Sequence, residues 1–458
     1  MKKVLLLVCL CFVTLGVMGQ TPLSPAITSW LQNTTQTGSY YVNGNSNTIP
    51  NNILVNCQQV EYSANFAYVT CTGVPAYPTG PFLDGNPSQA GNQNGLFQIP
   101  LNPVPSANPT STNPGNIGLF VNGVALFDYR DGVAWNPQTN ALCGGPGNPP
   151  CPGGPMAAQD WNRDAIPAEL PGFDCSKGHP AMGNYHHHQN PSAFKLDLQV
   201  VSNICNLYDA DGLYTIDSTQ HSPLIGFAYD GYPIYGAYAF SDTNGMGGIT
   251  RMRSGYHKRN ITVRTHWADG TDVDDGPVVG GNYPIGYFRE DYEFVQGNNP
   301  WDLDEHNGRW CVTPEYPNGT YAYFCTVDAN WNSAYPYAIG PTFYGQAANR
   351  SINSITEPTT IYDPTATNFS AEAFEAMQIT VFPNPASDLI AIQIGGLVEN
   401  DLTVELLDIT GKLIRKTQIN KGQTIAYFDV QTIYAGIYLV KVSSDQFART
   451  SKIVVTKE

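Results

Sequence analysis

Between residues 379 and 457 the chain reads as a series of runs in which apolar and polar residues alternate: ITVFPNP, LIAIQI, LTVELLDITGKLIRK, TIAYFDV, GIYLVKVSS and TSKIVVTK. Each is bounded by Gly, Asn, Asp or Pro. A period of two sends successive side chains to opposite faces of a pleated strand, so every run carries one apolar face that another strand or sheet must cover. Thr410-Gly411 offers a residue that accepts positive φ between two of these strands, which suits a hairpin. Ala435-Gly436 serves similarly just before the Tyr438 strand.

The preceding part of the chain is less regular. Gly, Pro, Asn, Thr and Tyr are abundant, helix formers are sparse and only 13% of residues are charged, a composition of short strands and many turns. Its 458 residues suffice for about two to three domains. From Thr21 to about Pro114, β-prone runs such as Gln58–Thr72 alternate with Asn/Pro/Gly/Ser stretches. The segment Cys143–Gly154 (CGGPGNPPCPGG) cannot be regular structure, because repeated Pro removes donors and Gly supplies no stiffening side chain. Aromatic residues are dense from Tyr185 to Tyr344. The Ser, Asn, Thr and Pro that follow read as a linker over 346–376. The expected fold is mainly β: a large, irregular β-rich ectodomain over 20–345 and a C-terminal module over 377–458.

At the other end, Lys2 and Lys3 precede an apolar run from Val4 to Val13, with small residues at Gly16 and Gly19, the layout of a secretory signal peptide over residues 1–19. The run is about half the ~20 residues that a membrane-spanning helix needs, and no later segment approaches that length, so no transmembrane segment is expected after cleavage. Removing the leader takes Cys9 and Cys11 with it and leaves eight cysteines, an even number that suits an oxidising compartment. Order along the chain suggests the pairs Cys57–Cys71, Cys143–Cys151, Cys175–Cys205 and Cys311–Cys325. No two stand in a C-x-x-C spacing that would favour a metal instead. Loss of Lys2 and Lys3 takes the net charge from −16 to −18, and since acids and bases balance from Met377 to Glu458, the deficit lies in the ectodomain. Nucleic acid is therefore not expected as a partner, cations or neutral substrates fit better, and no nucleotide cofactor is expected.

Val381-Phe382-Pro383-Asn384-Pro385, Asp408–Gly411, Leu413 and Gly436-Ile437-Tyr438, with terminal Lys452 and Lys457, resemble the type A sorting domain of the type IX secretion system of Bacteroidetes. The resemblance implies a small immunoglobulin-like β-sandwich that the outer-membrane translocon reads, and a protein delivered outside the cell or onto its surface.

Four of the eight histidines lie within ten residues, at His179, His186, His187 and His188, directly after Tyr185 in the case of the triplet. On a strand, His186 and His188 share a face while His187 points away. Neutral imidazoles are good donors to Zn or Cu, and two from one strand make half a site. A further ligand must come from elsewhere; His179, His221, Asp230, His266 and His306 are candidates, with His306 and Asp230 preferred. The preference comes from a resemblance. Tyr185–His188, Leu224–Gly236, Leu303–Arg309 and Thr313–Tyr323 together resemble the YHYH domain family over about 100–345, with His188 standing where the second Tyr would be. That resemblance brings no activity with it.

If the site is catalytic, Glu305 or Asp230 is the candidate base for a metal-activated water, and Tyr185, Tyr229 or Tyr232 a candidate electron or proton donor at a copper centre. Neither H-E-x-x-H nor G-x-S-x-G occurs, which speaks against zincin and serine-hydrolase chemistry. Asp269, Asp272 and Asp274 have the carboxylate density of a Ca²⁺ loop without EF-hand spacing, and a solvated acidic loop is the preferred reading. Tyr229, Tyr232, Tyr235 and Tyr238 offer a rival function, a platform for stacking a surface glycan or other polymer. The chain alone leaves enzyme and binding protein both open.

Overall fold

The computed structural model describes residues 23–45, 47–85, 88–154, 159–191, 216–348, 351–364, 378–395, 401–409, 411–444 and 448–457. The expected signal peptide and Cys205 lie outside these. The chain divides after Pro364 into two units, each described by itself. None of the described helices is long and apolar enough to cross a membrane.

In the first unit, strands β1 (Cys57–Tyr62), β2 (Phe66–Cys71) and β3 (Gly95–Pro100) form an antiparallel sheet. A larger sheet is built from β4 (Asn116–Phe120), β5 (Ala125–Phe127), β6 (Gly178–Ala181), β7 (Asn184–His187), β8 (Leu224–Ala228), β9 (Pro233–Tyr235), β10 (Gly308–Cys311) and β11 (Thr320–Phe324). Its spatial order is β6-β7-β5-β4-β8-β9-β11-β10, with β7 parallel to β5 and β9 parallel to β11. Trp30, Val60, Val69 and Phe97 meet Leu119, Phe227, Tyr235 and Phe324 on one face of this sheet. Ile117, Phe120, Leu126, Ile225, Ile234 and Tyr323 pack under loops on the other. With both faces covered, β8 and β11 are buried at every position, so they read as unbroken apolar runs and not as alternation.

Strand β12 (Thr360–Tyr362) pairs antiparallel with β1, which makes part of the stretch expected as linker an edge strand of the ectodomain. Main-chain pairing along β1 holds it there, which a Ser/Thr/Pro-rich composition cannot reveal.

The cysteines correct two expected pairings. Cys143 and Cys151 are bridged across the Gly/Pro loop, and Cys175 is disulfide-bonded, but Cys57, Cys71, Cys311 and Cys325 are buried free thiols. Cys57 and Cys71 face each other across β1 and β2, next to a register shift. Their sulfurs are directed to different acceptors, the Val121 carbonyl at 3.6 Å and the Gly123 carbonyl at 3.3 Å. Cys311 pairs with Thr320 in the β10–β11 ladder, so Cys325 lies five positions further along the hairpin. At about 3.4 Å per residue that is far beyond disulfide reach.

The second unit is a two-sheet sandwich of the expected kind. Its strands are β13 (Gln378–Phe382), β14 (Leu389–Gly395), β15 (Leu402–Asp408), β16 (Leu413–Ile419), β17 (Ile425–Asp429), β18 (Gly436–Ser443) and β19 (Ala448–Val455), in sheets β13-β14-β17 and β16-β15-β18-β19. Alternation works as read: Leu402, Val404 and Leu406 on β15 and Tyr438, Val440 and Val442 on β18 are buried, with partly exposed residues between. Gly411 takes φ +86° in the β15–β16 turn, where its N–H donates to the Asp408 carbonyl.

Candidate metal centre

Strands β6 and β7 form a tight hairpin whose turn residues Met182 and Gly183 both have positive φ (50° and 87°), the geometry that joins two right-twisted strands by two residues. Its register sets His179 directly opposite His186. His186 and His188 share a face, and Tyr185 and His187 project to the other. On that other face the His187 Nε2 lies 2.9 Å from the Tyr77 hydroxyl, and Tyr185 donates at 2.8 Å to Asp174. A Cβ on Gly178 would stand 2.4 Å from the Tyr185 ring, so only glycine lets β6 pass there.

On the first face the ligating atoms of His179, His186 and His188 lie within 4.8 Å of one another, and all three side chains are buried. The Nε2 atoms of His186 and His188 are 3.1 Å apart. The opposite nitrogens are engaged: His186 Nδ1 donates to the Asn184 carbonyl at 2.8 Å, and His188 Nδ1 to the Asp128 carbonyl at 2.5 Å. A carbonyl can only accept, so each Nδ1 carries a proton and each ring turns its Nε2 into the same space. Phe127 stacks on His186 with ring centres 3.7 Å apart, and Phe173 meets His179 edge-on at 4.9 Å.

Sequence reasoning missed the fourth member of this group. Glu169 ends a short helix α1 (Ala165–Glu169), whose N-cap Asp164 accepts from the Ile166 N–H and from the Tyr337 hydroxyl. Its Oε2 lies 3.3 Å from both His179 Nε2 and His188 Nε2. Neither Glu169 Oε2 nor His179 Nε2 has a hydrogen-bond partner, although both atoms are buried. The one hint in the sequence was a carboxylate ahead of the first histidine, and Asp174 offers the same hint. Burial, reinforced by His179 and His188, holds His186 well below the usual imidazole range. Burial also pulls His188 down, but Glu169 outweighs it and the net direction is up. Glu169, despite burial, is held well below the usual carboxylate range by His179 and His188.

The other candidates lie elsewhere. Asp230 occupies the β8–β9 turn, where it accepts from the Tyr323 hydroxyl (2.6 Å) and from the Gly345 (2.9 Å) and Tyr232 (3.2 Å) N–H groups, and burial pushes it up to about 6. His306 Nδ1 is bonded to Thr342 at 2.6 Å, and Glu305 is exposed. His221 donates to the Ser222 carbonyl between Tyr235 and Phe240, and the exposed His266 contacts Thr265 and Asp272. Proximity along the chain had favoured His306 and Asp230; separate turns hold them in networks of their own. Tyr185 likewise belongs to the opposite face of β7 and does not line the histidine group. Asp269 closes its own turn by accepting from the Thr271 N–H, Asp272 is exposed and the Asp274 N–H donates to Asp160, so these three carboxylates do not gather among the described residues. The tyrosine platform is also corrected: Tyr229, Tyr232 and Tyr235 are buried among the covered faces of the larger sheet, and the half-buried Tyr238 belongs to a separate two-stranded sheet and accepts from Trp331, so the four rings do not form one exposed surface.

Comparison with known proteins adds two matches of family models. The YHYH protein model matches residues 96–335, just over half the chain. The secretion system C-terminal sorting domain matches residues 380–456 and sets the protein's route, type IX secretion to the cell exterior and attachment at its surface. Among curated proteins, the endo-acting ulvan lyase of Formosa agariphila is 33% identical over 85 residues, 19% of this chain. The chain spans 16% of that relative's length. Among solved structures, dimeric latent PorU from Porphyromonas gingivalis is 22% identical over 18% of this chain and 9% of its own, with a TM-score of 0.16.

Proposed function

The chain belongs to the YHYH protein family, and from that premise we propose that it is a surface-delivered metal-binding protein whose centre is formed by His179, His186 and His188. One observation carries the reading. Two imidazoles, each with its Nδ1 proton spent on a backbone carbonyl, turn their Nε2 atoms toward one another at 3.1 Å. Two lone pairs at that distance repel unless a proton or a metal cation stands between them, and three imidazoles directed to one buried point suit the metal. The backbone carbonyls fix the tautomer and ring orientation, as outer partners of metal-bound histidines do. Nitrogen donors favour Zn or Cu over Ca or Mg. The residues that would serve a catalytic role on sequence grounds, Glu305, Asp230 and Tyr185, stand outside the histidine group, so holding the ion is the function assigned.

Metal analysis of protein purified without an affinity tag tests this. About one equivalent of Zn or Cu is expected, lost in the double variant His186→Ala with His188→Ala. Absence of bound Zn, Cu or Fe, with no uptake when the metal is supplied, overturns the reading.

A further inference from the structure

We infer that Glu169 is a fourth ligand, so that the ion sits in a closed protein shell and cross-links helix α1 to the β6–β7 hairpin instead of acting as an open centre that activates water. This rests on the three-histidine reading above and specifies what such a centre does. An ion bonded at about 2.0–2.1 Å to four donors in tetrahedral array sets those donors about 3.3–3.4 Å apart. Three of the six donor separations are close to that length, 3.1 Å for His186 to His188 and 3.3 Å from Glu169 to both His179 and His188, and the three histidine atoms all lie within 4.8 Å of one another.

Burial supplies the second observation. The Glu169 Oε2 and the His179 Nε2 approach closely yet make no hydrogen bond to each other or to anything else, and both atoms are inaccessible. A buried carboxylate oxygen that makes no hydrogen bond calls for a positive charge beside it. Two donors that are close but out of line with one another are aimed at a common third point. Phe127 and Phe173 pack against the rings of His186 and His179, so part of the surroundings of that point is apolar. A shell closed by protein ligands is the structural type of zinc site, whereas hydrolytic sites keep a position open. The pattern Glu169-x9-His179-x6-His186-x-His188 thus gathers an N3O donor set from within twenty residues, suited to a small tetrahedral divalent ion, Zn²⁺ before Cu²⁺.

The test uses tag-free full-length protein stripped of metal and titrated with Co²⁺ as a spectroscopic probe, then with Zn²⁺, beside Glu169→Gln and Glu169→Ala. The wild type is expected to give the intense visible bands of four-coordinate Co²⁺, unaltered by azide, and to gain several degrees in Tm with Zn²⁺. Glu169→Ala should bind at least tenfold more weakly, and azide should now shift its Co²⁺ bands by entering the vacated position. Glu169→Gln keeps the side-chain shape, and its metal-free circular dichroism separates loss of a ligand from loss of fold. Azide shifting the wild-type bands, or Glu169→Ala binding with wild-type affinity and spectrum, overturns the fourth ligand while leaving the histidines in place. Failure of the wild type to take up either ion overturns both readings.

Discussion

The two units of this chain solve the problem of burial in opposite ways. The sandwich core is made almost wholly of aliphatic side chains, among them Ile390, Ile392, Leu402, Val404, Leu406, Val440 and Ile453, with Phe428 and Tyr438 as its aromatics. The ectodomain buries Asp128, Asp164, Asp174, Asp230, Asp291, Arg264 and five histidines along with a large set of tyrosines. Its carboxylates are matched to donors far away in sequence: Tyr337 reaches Asp164, Tyr323 reaches Asp230, and Arg264 holds Asp291 through two bonds of 2.7 and 2.8 Å. An aliphatic core tolerates any neighbour of the right volume, whereas a buried carboxylate requires particular donors at particular places. The sandwich is the sorting domain for type IX secretion, and the ectodomain carries the proposed metal site.

The largest effect that would test this division is on export. Removing residues 377–458 should abolish delivery to the surface while leaving an ectodomain that folds, read by cell fractionation; unchanged export would show that the sandwich is not the sorting signal. Next comes Arg264→Ala, which strands the buried Asp291 carboxylate and should cost the ectodomain about 3–5 kcal/mol in urea unfolding. A loss below about 1 kcal/mol would mean that its polar core is no more demanding than the sandwich. Leu406→Ala should cost about 2–4 kcal/mol, confined to the melting of the sandwich. If the ectodomain transition moved with it, the two units would not be independent.

The smallest expected effect is of pH. Burial pushes Asp174 up to about 7 and Asp230 up to about 6, above the ordinary carboxylate value they regain on unfolding. The folded state therefore holds protons that the unfolded state has released, and stability from these groups falls as pH rises from about 4 to about 7. The ectodomain Tm of metal-free protein should drop by at least about 2 °C across that window, and Asp230→Asn should flatten the slope; a rise in Tm would contradict the sign.

How much could be read in advance follows the same division. In β15 and β18 the alternation that marks the strand is also the pattern that gets buried, so sequence and structure coincide residue by residue. The His186/His188 pair was legible for the same reason, since its geometry needs only the pleat of one strand. His179 was in view as a candidate, but only the hairpin register, fixed by the two-residue turn at Met182-Gly183, sets it opposite His186. Glu169 could not be found, because nothing local distinguishes it from any other carboxylate at the end of a short helix. The tyrosines from 229 to 238 misled, because a buried ring and a stacking platform have the same sequence; what separates them is whether a second layer covers the strand.

By itself, then, the sequence determined a β-rich chain, its C-terminal sandwich and the pairing of His186 with His188 on one face, since all three follow from strand periodicity and turn chemistry within a few residues. Tertiary structure decided which cysteines meet, which tyrosines are covered, and that Glu169 and His179 join the histidine pair while His306 and Asp230 do not. Those outcomes depend on register between strands and on the packing of loops over a sheet, where a shift of a single residue would change every partner.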